Sequence, residues 1–104
     1  MFSVLPLLPS TIHAGRIALE PAARRVSIDG EALSLTTVEY EIAALLVRSA
    51  GRVVSRETMI RSVFSREPSP FDRALDVHVS HLRSKLGDPS LIVTVRGVGH
   101  LLRL

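Results

Sequence analysis

The chain contains no cysteine and no tryptophan, and only 4% of its 104 residues are aromatic. Without cysteine there can be no disulfide, no thiolate nucleophile and no cysteine-ligated metal site, which suits a reducing compartment. No apolar run approaches the roughly 18 residues that a membrane-spanning helix needs. We therefore expect no membrane partner and a cytoplasmic location.

The composition is that of a single globular domain, with 46% hydrophobic and 22% charged residues. The formal net charge is +3, and all of this excess lies in residues 55–104, because the charges of residues 1–54 cancel. The basic half also holds three of the four histidines. Such a distribution is typical of proteins that bind polyanions, although a bias of three charges alone favours nucleic acid only slightly.

The first residues do not resemble a secretion signal. Residues 1–14 are apolar, but they lack a basic start and are interrupted by Pro6 and Pro9. We expect this segment to be a linker or the remnant of a tag, followed by one domain over residues 15–104.

Apolar residues two apart then predict three short strands, because alternation is the pattern of a half-buried strand. The pairs are Ile17 and Leu19, Val26 and Ile28, and Leu33 and Leu35. Asp29-Gly30 predicts a tight hairpin turn, since both residues tolerate positive φ. A small antiparallel meander should result.

Two helices are predicted next. Thr36 and Glu39 form the spacing of a capping box, and Gly51 provides a stop. One face of this first helix should carry Val38, Ile42, Leu45, Leu46 and Ser49. Ser55 is the predicted cap of a second helix, which should turn Met59, Ile60, Val63 and Phe64 inward.

A third helix is predicted from Ser69 as its cap and Pro70 as its first residue, with Asp72 in the first turn and Gly87 at the end. Its buried stripe should be Leu75, Val79, Leu82 and Leu86. Its opposite side should carry Arg73, Val77, Ser80 and Ser84, with His81 beside them. A hairpin of Ile92–Val95 and His100–Leu104 follows, turning at Arg96–Gly99.

This order of elements predicts an α+β fold of the winged helix-turn-helix type. It consists of an N-terminal antiparallel β-meander, a three-helix bundle and a C-terminal β-hairpin wing. No catalytic arrangement stands out, since Ser55 and Ser69 are predicted helix caps, and we expect no enzyme activity and no cofactor. His78 and His81 are three apart on a helix, but a metal site needs at least three protein ligands and no third is evident.

Four segments resemble the DNA-binding effector domain of OmpR/PhoB-type bacterial response regulators. They are LSLTTVEYEIAALL (33–46), GRVVSRETMIRSVF (51–64), DRALDVHVSHLRSKLG (72–87) and TVRGVGHLL (94–102). With the meander, the resemblance covers about residues 15–104. The run SPFDRALDVHVSHLR is closest in pattern to the Cpx-like envelope-stress branch.

The resemblance implies a transcription factor that binds double-stranded DNA. Its recognition helix, residues 70–86, would lie in the major groove, and its wing, residues 92–104, would reach the minor groove. Two copies would bind tandem half-sites, and a receiver domain would be missing if the chain is an excised fragment. The implied DNA-binding residues are Arg73, Val77, His78, Ser80, His81, Arg83, Ser84, Thr94 and Arg96. The implied contact loop for RNA polymerase is Ser65, Arg66, Glu67, Pro68, Ser69, Pro70 and Phe71.

Some of these positions have alternative interpretations. Val77 either touches a thymine methyl or is covered by a neighbouring loop. Arg83 either contacts phosphate or pairs on the surface with Asp76 or another acid, and Arg96 either contacts DNA or simply belongs to a hairpin tip.

The chain departs from the family pattern where arginines are common, at Ser80, His81 and Ser84. The alternative function is therefore a winged-helix protein-interaction domain with weak or no DNA binding. His100 replaces the usual tyrosine after the second glycine of the wing, and we expect it to pack at the wing base and to add pH sensitivity.

Overall fold

The computed structural model describes residues 11–69 and 72–104, which form two small antiparallel sheets and three α-helices. The N-terminal sheet has the strand order β1-β2-β3-β4. Its strands are β1 (Ile12–Ala14), β2 (Ile17–Glu20), β3 (Arg25–Ile28) and β4 (Glu31–Ala32). Strand β1 begins before residue 15, the predicted start of the domain, and residues 1–10 of the predicted linker lie outside the described residues.

The predicted turn between β3 and β4 is confirmed. Asp29 and Gly30 both have positive φ, 50° and 85°, as a two-residue hairpin turn requires. The predicted strand at Leu33 and Leu35 is wrong, because the strand ends at Ala32. The two leucines are spaced by two because both pack against the core from the segment that leads into the first helix.

Helix α1 (Thr37–Arg48) begins with the predicted capping box. The Glu39 backbone N–H donates to Thr36 Oγ1 over 3.1 Å, and the Thr36 N–H donates to Glu39 Oε1 over 3.0 Å. After the helix, Gly51 adopts φ 82° and its N–H donates to the Leu102 carbonyl over 2.9 Å. The start of the first helix is therefore fixed by a local signal, whereas Gly51 lies two residues after the C-cap, Ser49, and bonds a distant strand.

Helix α1 is the centre of the core, because it contacts the N-terminal sheet, the wing sheet and both other helices. Ile42 and Leu46 of the predicted face are buried, whereas Val38, Leu45 and Ser49 are only half-buried. The predicted single face was too narrow, because packing on several sides buries more of the helix. The additional buried residues are Glu39, Tyr40, Ala43, Ala44 and Val47.

Helices α2 (Arg56–Phe64) and α3 (Ala74–Leu86) form the helix-turn-helix. Ser55 Oγ accepts from the Thr58 N–H over 3.1 Å, which confirms the predicted cap. The predicted inward residues of α2 are buried at Met59 and Ile60 and half-buried at Val63 and Phe64. The predicted stripe of α3 is confirmed, since its four residues are all buried: Leu75, Val79, Leu82 and Leu86.

The C-terminal sheet has the order β5-β7-β6. Its strands are β5 (Val54–Ser55), β6 (Ile92–Val95) and β7 (Gly99–Leu102). The hairpin of β6 and β7 confirms the predicted wing, whereas β5 was not predicted. The predicted winged helix-turn-helix class is thus confirmed. In residues 11–69 and 72–104, no helix is both long and apolar enough to cross a membrane.

Candidate nucleic-acid interface

The outward side of α3 is an exposed and largely uncharged surface, as predicted. Val77, Ser80, His81 and Ser84 are exposed, and Val77 leaves 49% of its surface open. Among the described residues, none of these four side chains has a hydrogen-bond or ion-pair partner. Of the two interpretations of Val77, the structure thus favours an apolar group available to a partner, although contact with a thymine methyl remains a prediction.

Arg73 lies just before α3 and is the cation of this surface. Its guanidinium is exposed and has no ion-pair partner in the part of the chain that the structure describes. It lines an open depression together with Asp76, Val77, Ser80 and His81. We define the outward face of α3 as Arg73, Val77, Ser80, His81 and Ser84.

The helix itself begins later than predicted. The predicted start at Pro70, with Ser69 as cap, is wrong because α3 begins at Ala74, while Pro70 and Phe71 lie outside the described residues. The N-cap is Arg73, whose side chain makes no cap bond, and Asp72 lies before the helix instead of in its first turn. Asp72 Oδ1 accepts from the Ala74 N–H over 3.2 Å. The Arg66 guanidinium pairs with Asp72 and holds the pKa of that carboxyl below its usual value. This ion pair fixes the carboxylate at the start of the helix.

Arg56 makes a structural junction that the sequence reasoning missed. Its backbone N–H donates to the Val98 carbonyl in the wing over 3.0 Å. Its guanidinium pairs with Asp76 on α3 and donates to the Asp72 carbonyl over 3.1 Å. The first residue of α2 therefore joins the wing to the start of α3. A lone Ser-Arg-Glu sequence carries no signal for such a junction.

Arg83 points to the wing, and within the described residues it pairs with neither Asp76 nor another acid. Its Nε and Nη2 donate to the Ile92 carbonyl over 3.2 and 2.9 Å, and Nη2 also donates to Thr94 Oγ1 over 3.0 Å. The surface pair with Asp76 is wrong, because Asp76 pairs with Arg56. Phosphate contact by Arg83 and Thr94 remains a prediction, and the structure gives both side chains a role within the protein.

His100 packs at the wing base, as predicted, and only 3% of its surface is exposed. Its Nδ1 lies 3.1 Å from Thr94 Oγ1, and its Nε2 is buried without a hydrogen-bond partner among the described residues. Burial lowers the pKa of this imidazole below its ordinary value of 6.5, and the neighbouring Arg83 charge lowers it further. The residue is therefore a neutral imidazole at neutral pH.

His78 lies away from the outward face, although the resemblance placed it among the DNA-binding residues. Its ring centroid lies 5.9 Å from that of Phe64 on α2, and its Nδ1 is buried without a partner in the described part of the chain. Its contact with DNA remains a prediction. Within residues 11–69 and 72–104, no group of three or more His, Asp and Glu side chains could hold a metal ion.

The wing tip presents Arg96, which is exposed and has no ion-pair partner within the described residues. Gly97 turns the chain with φ 75°, whereas Gly99 is needed for a different reason. A Cβ at residue 99 would overlap the Val54 carbonyl oxygen and lie 2.8 Å from Ser55 Cα. The glycine thus allows the wing to pair closely with β5.

In the described part of the predicted polymerase loop, residues 65–69, two neighbouring residues form ion pairs with groups outside it. Ser65 ends α2 with φ 55°. Arg61 Nε pairs with Glu67 Oε1 over 3.1 Å, and the Arg66 guanidinium, which also pairs with Asp72, lies 5.1 Å from the Phe64 ring centroid. Pro68 is half-buried, and Pro70 and Phe71 lie outside the described residues. Contact of this loop with polymerase remains a prediction.

An ion pair between the exposed Lys85 and the buried Glu39 holds the opposite flank of α3. Lys85 Nζ donates to Glu39 Oε1 over 2.6 Å and to the Ser34 carbonyl over 2.9 Å. Burial opposes the ionisation of Glu39, but Lys85 and the Thr36 N–H hold its pKa below the ordinary value. Sequence reasoning placed Glu39 in the capping box and did not find Lys85, since 46 residues separate the pair.

The sequence comparisons identify a regulatory family. Residues 30–102 match the family model described as "Transcriptional regulatory protein, C terminal". The chain is 40% identical over 93 residues to the response regulator protein PmrA of Pseudomonas aeruginosa, with 89% of this chain and 41% of that protein covered. It is 38% identical over 96 residues to the transcriptional regulatory protein CpxR of Escherichia coli K12, with 88% and 41% covered. The chain spans about two fifths of the length of these relatives.

Solved structures give the same assignment. The DNA-binding domain of CpxR from E. coli superposes with a TM-score of 0.81 at 38% identity, covering 89% of this chain and 95% of that chain. The Klebsiella pneumoniae RstA DNA-binding domain, solved in complex with the RstA box, gives 0.83 at 30% identity, with 91% and 98% covered. The chain therefore belongs to the family of C-terminal domains of transcriptional regulatory proteins, as a winged-helix effector domain of the OmpR/PhoB type.

Proposed function

We propose that this domain binds double-stranded DNA sequence-specifically, as the output domain of a two-component transcriptional regulator. The recognition helix α3 lies in the major groove with the outward face against the base edges. The wing reaches the adjacent minor groove with Arg96 at its tip. The RstA domain to which this chain is similar was solved on its own DNA box, which supports the same mode of binding here.

The observation that carries the proposal is the placement of two arginines that have no ion-pair partner in residues 11–69 and 72–104. Arg73 lies at the start of α3 and Arg96 at the wing tip, and the surface between them is exposed. The other arginines near this surface are held by partners within the protein, as Arg56 is by Asp76 and Arg66 by Asp72. Unpaired cations on both sides of an uncharged helix face suit a duplex, because they meet phosphates while the face meets bases.

The roles of individual residues follow from their side chains. Arg73 and Arg96 contact phosphates and carry the salt-dependent part of the affinity. His81 and the two serines of the outward face approach base edges or backbone, and Val77 meets a thymine methyl. Because this face holds one cation, a single domain binds modestly, and a second copy on a tandem half-site supplies the remaining affinity.

The surrounding assembly follows the same reasoning. Because the curated relatives are longer than this chain, a receiver domain joined through the segment before β1 is the proposed input. The loop of residues 65–71 is the proposed contact with RNA polymerase, and the ion pairs that shape residues 66 and 67 support it.

The decisive experiment measures affinity for short duplexes enriched from random sequence, over a series of salt concentrations. The affinity should fall steeply with salt, and Arg73→Ala and Arg96→Ala should each lower the salt slope by about 1. Arg25→Ala serves as the control, since this exposed arginine lies on the N-terminal sheet and pairs with Glu20. If no duplex binds even at low salt, DNA binding is wrong and the protein-interaction function takes its place.

A further inference from the structure

Arg83 makes a two-pronged contact between the recognition helix and the wing. Two N–H groups of its guanidinium donate to one carbonyl, that of Ile92, and one of them also donates to Thr94 Oγ1. Ile92 and Thr94 belong to β6, which is an edge strand of the wing sheet. A planar guanidinium suits this geometry because its donors are fixed in a fork, whereas an ammonium group offers a single point.

The contact continues to the other strand of the wing. Thr94 Oγ1 accepts from Arg83 and also forms a hydrogen bond with Nδ1 of the buried His100 over 3.1 Å. His100 lies on β7, directly opposite Thr94 in the register of the hairpin. A chain of hydrogen bonds therefore runs from α3 through β6 to β7.

A second connection joins the wing to α3 at the start of the helix. Arg56 bonds the Val98 carbonyl of the wing turn, and its guanidinium bonds Asp76. Asp76 and Arg83 are separated by seven residues, which is roughly 10 Å along a helix. Two attachment points at that separation fix the angle of the wing as well as its distance, because a single point would leave a hinge.

We propose that Arg83 is a positioning residue that sets the placement of the wing relative to the recognition helix, through Ile92 and Thr94. This role of Arg83 rests on the proposed function. The placement of the wing matters because helix and wing must contact the same duplex. In this role Arg83 contributes to affinity by keeping Arg96 in reach of the minor groove, without itself neutralising a phosphate.

The test compares Arg83→Lys with Thr94→Val. Lysine keeps the positive charge but loses the fork, and valine removes the hydroxyl that joins Arg83 to His100. Each variant should speed amide hydrogen exchange in β6 and β7 of the free protein and weaken binding to the enriched duplex by about tenfold, as expected for a lost charge-assisted hydrogen bond. The salt slope should equal that of the wild type, and the double variant should be little worse than either single variant.

Arg103→Lys is the matched control. Arg103 also bonds through its guanidinium, to the carbonyl and hydroxyl of Ser90, but its bonds do not involve α3. It should leave wing exchange and affinity close to those of the wild type.

Two results would overturn the role of Arg83. One is unchanged wing exchange in Arg83→Lys. The other is a salt slope that falls by about one phosphate in Arg83→Gln while wing exchange stays at the wild-type rate. If the wild type itself binds no duplex, the proposed function fails, while the exchange measurement still decides whether Arg83 fixes the wing.

Discussion

The two sides of α3 use their residues in different ways. On the inner side and its flanks, every charged group is bonded to another element: Asp76 to α2, Arg83 to β6 and Lys85 to Glu39 on α1. On the outward face, the side chains are exposed, and within the described residues they have no partners. The charges of the helix therefore fix its position, and its reading surface is left almost neutral.

This division explains why the outward face has so few arginines for a DNA-binding helix. Arg83 lies on the helix but is engaged by the wing, so it adds little to the outward charge. In the proposed function, affinity therefore comes from Arg73 and Arg96 at the margins and from a second copy. The four predictions below test this contrast between the two sides.

The largest effect is expected from Leu82→Ala, which removes a fully buried side chain of the inner stripe. The free energy of unfolding should fall by about 2–5 kcal/mol, because a cavity is left in the core. Val77→Ala on the outward face should change it by less than about 0.5 kcal/mol. Urea unfolding measures both variants, and comparable losses would contradict the assignment of inner and outward sides.

His81→Ala tests whether the outward face reads bases. It should change the preference at one position of the binding site by about 1–3 kcal/mol, while Arg73→Ala weakens binding to all sequences alike. Selection of sites from random duplexes with each variant measures the preferences. A uniform loss for His81→Ala would show that this histidine does not distinguish bases.

Lys85→Met tests the charged flank of the inner side. The free energy of unfolding should fall by about 1–2 kcal/mol, because Glu39 is left buried without its cation while the exposed part of Lys85 moderates the loss. Since the pKa of Glu39 is lowered by folding, the contribution of the pair is present above the ordinary pKa of 4.5 and is lost as the pH falls through the folded value. Urea unfolding at pH 7 and at pH 3 should therefore separate the wild type and the variant less at pH 3 than at pH 7. Adding Glu39→Gln should recover part of the loss.

The smallest effect concerns His100 at the wing base. Its folded pKa is lowered, so the unfolded chain binds more protons, and stability is greatest above the ordinary pKa of 6.5 and declines as the pH falls. His100→Phe removes this group. The unfolding free energy of the wild type, measured relative to that of the variant, should therefore fall from pH 7.5 to pH 5.5. A difference that is independent of pH would mean that His100 titrates alike in both states.

Local signals in the sequence predicted most of the fold. The capping box of Thr36 and Glu39, the Asp29-Gly30 turn and the stripe of α3 each depend on neighbours within a few residues. Strand β5 escaped prediction because two residues carry no period, and only pairing with β7 defines it. The start of α3 was misplaced because Ser69-Pro70 is a good local signal for a helix start. The observed start depends instead on Asp72, which is fixed by contacts with Arg66 and Arg56 from other parts of the chain.

The outward face was predictable from helical period and family resemblance together. The partners of Arg83, Arg56 and His78 were not, because each lies on a different element of the fold. In the sequence, an arginine that binds phosphate cannot be distinguished from one that binds a backbone carbonyl of the same protein. Only the position of the wing beside α3 in the folded domain shows which carbonyl and hydroxyl groups Arg83 can reach.

The close pairing of the wing with β5 limits how the domain can be redesigned. A library that randomises the wing to change its target sequence can vary Arg96 and Val98, which are exposed. Residue 99 has to stay glycine in every member, because any side chain there would overlap the Val54 carbonyl. A selection that ignored this position would fill most of the library with variants in which the wing cannot pair closely with β5, because the close approach accepts only the residue without a Cβ.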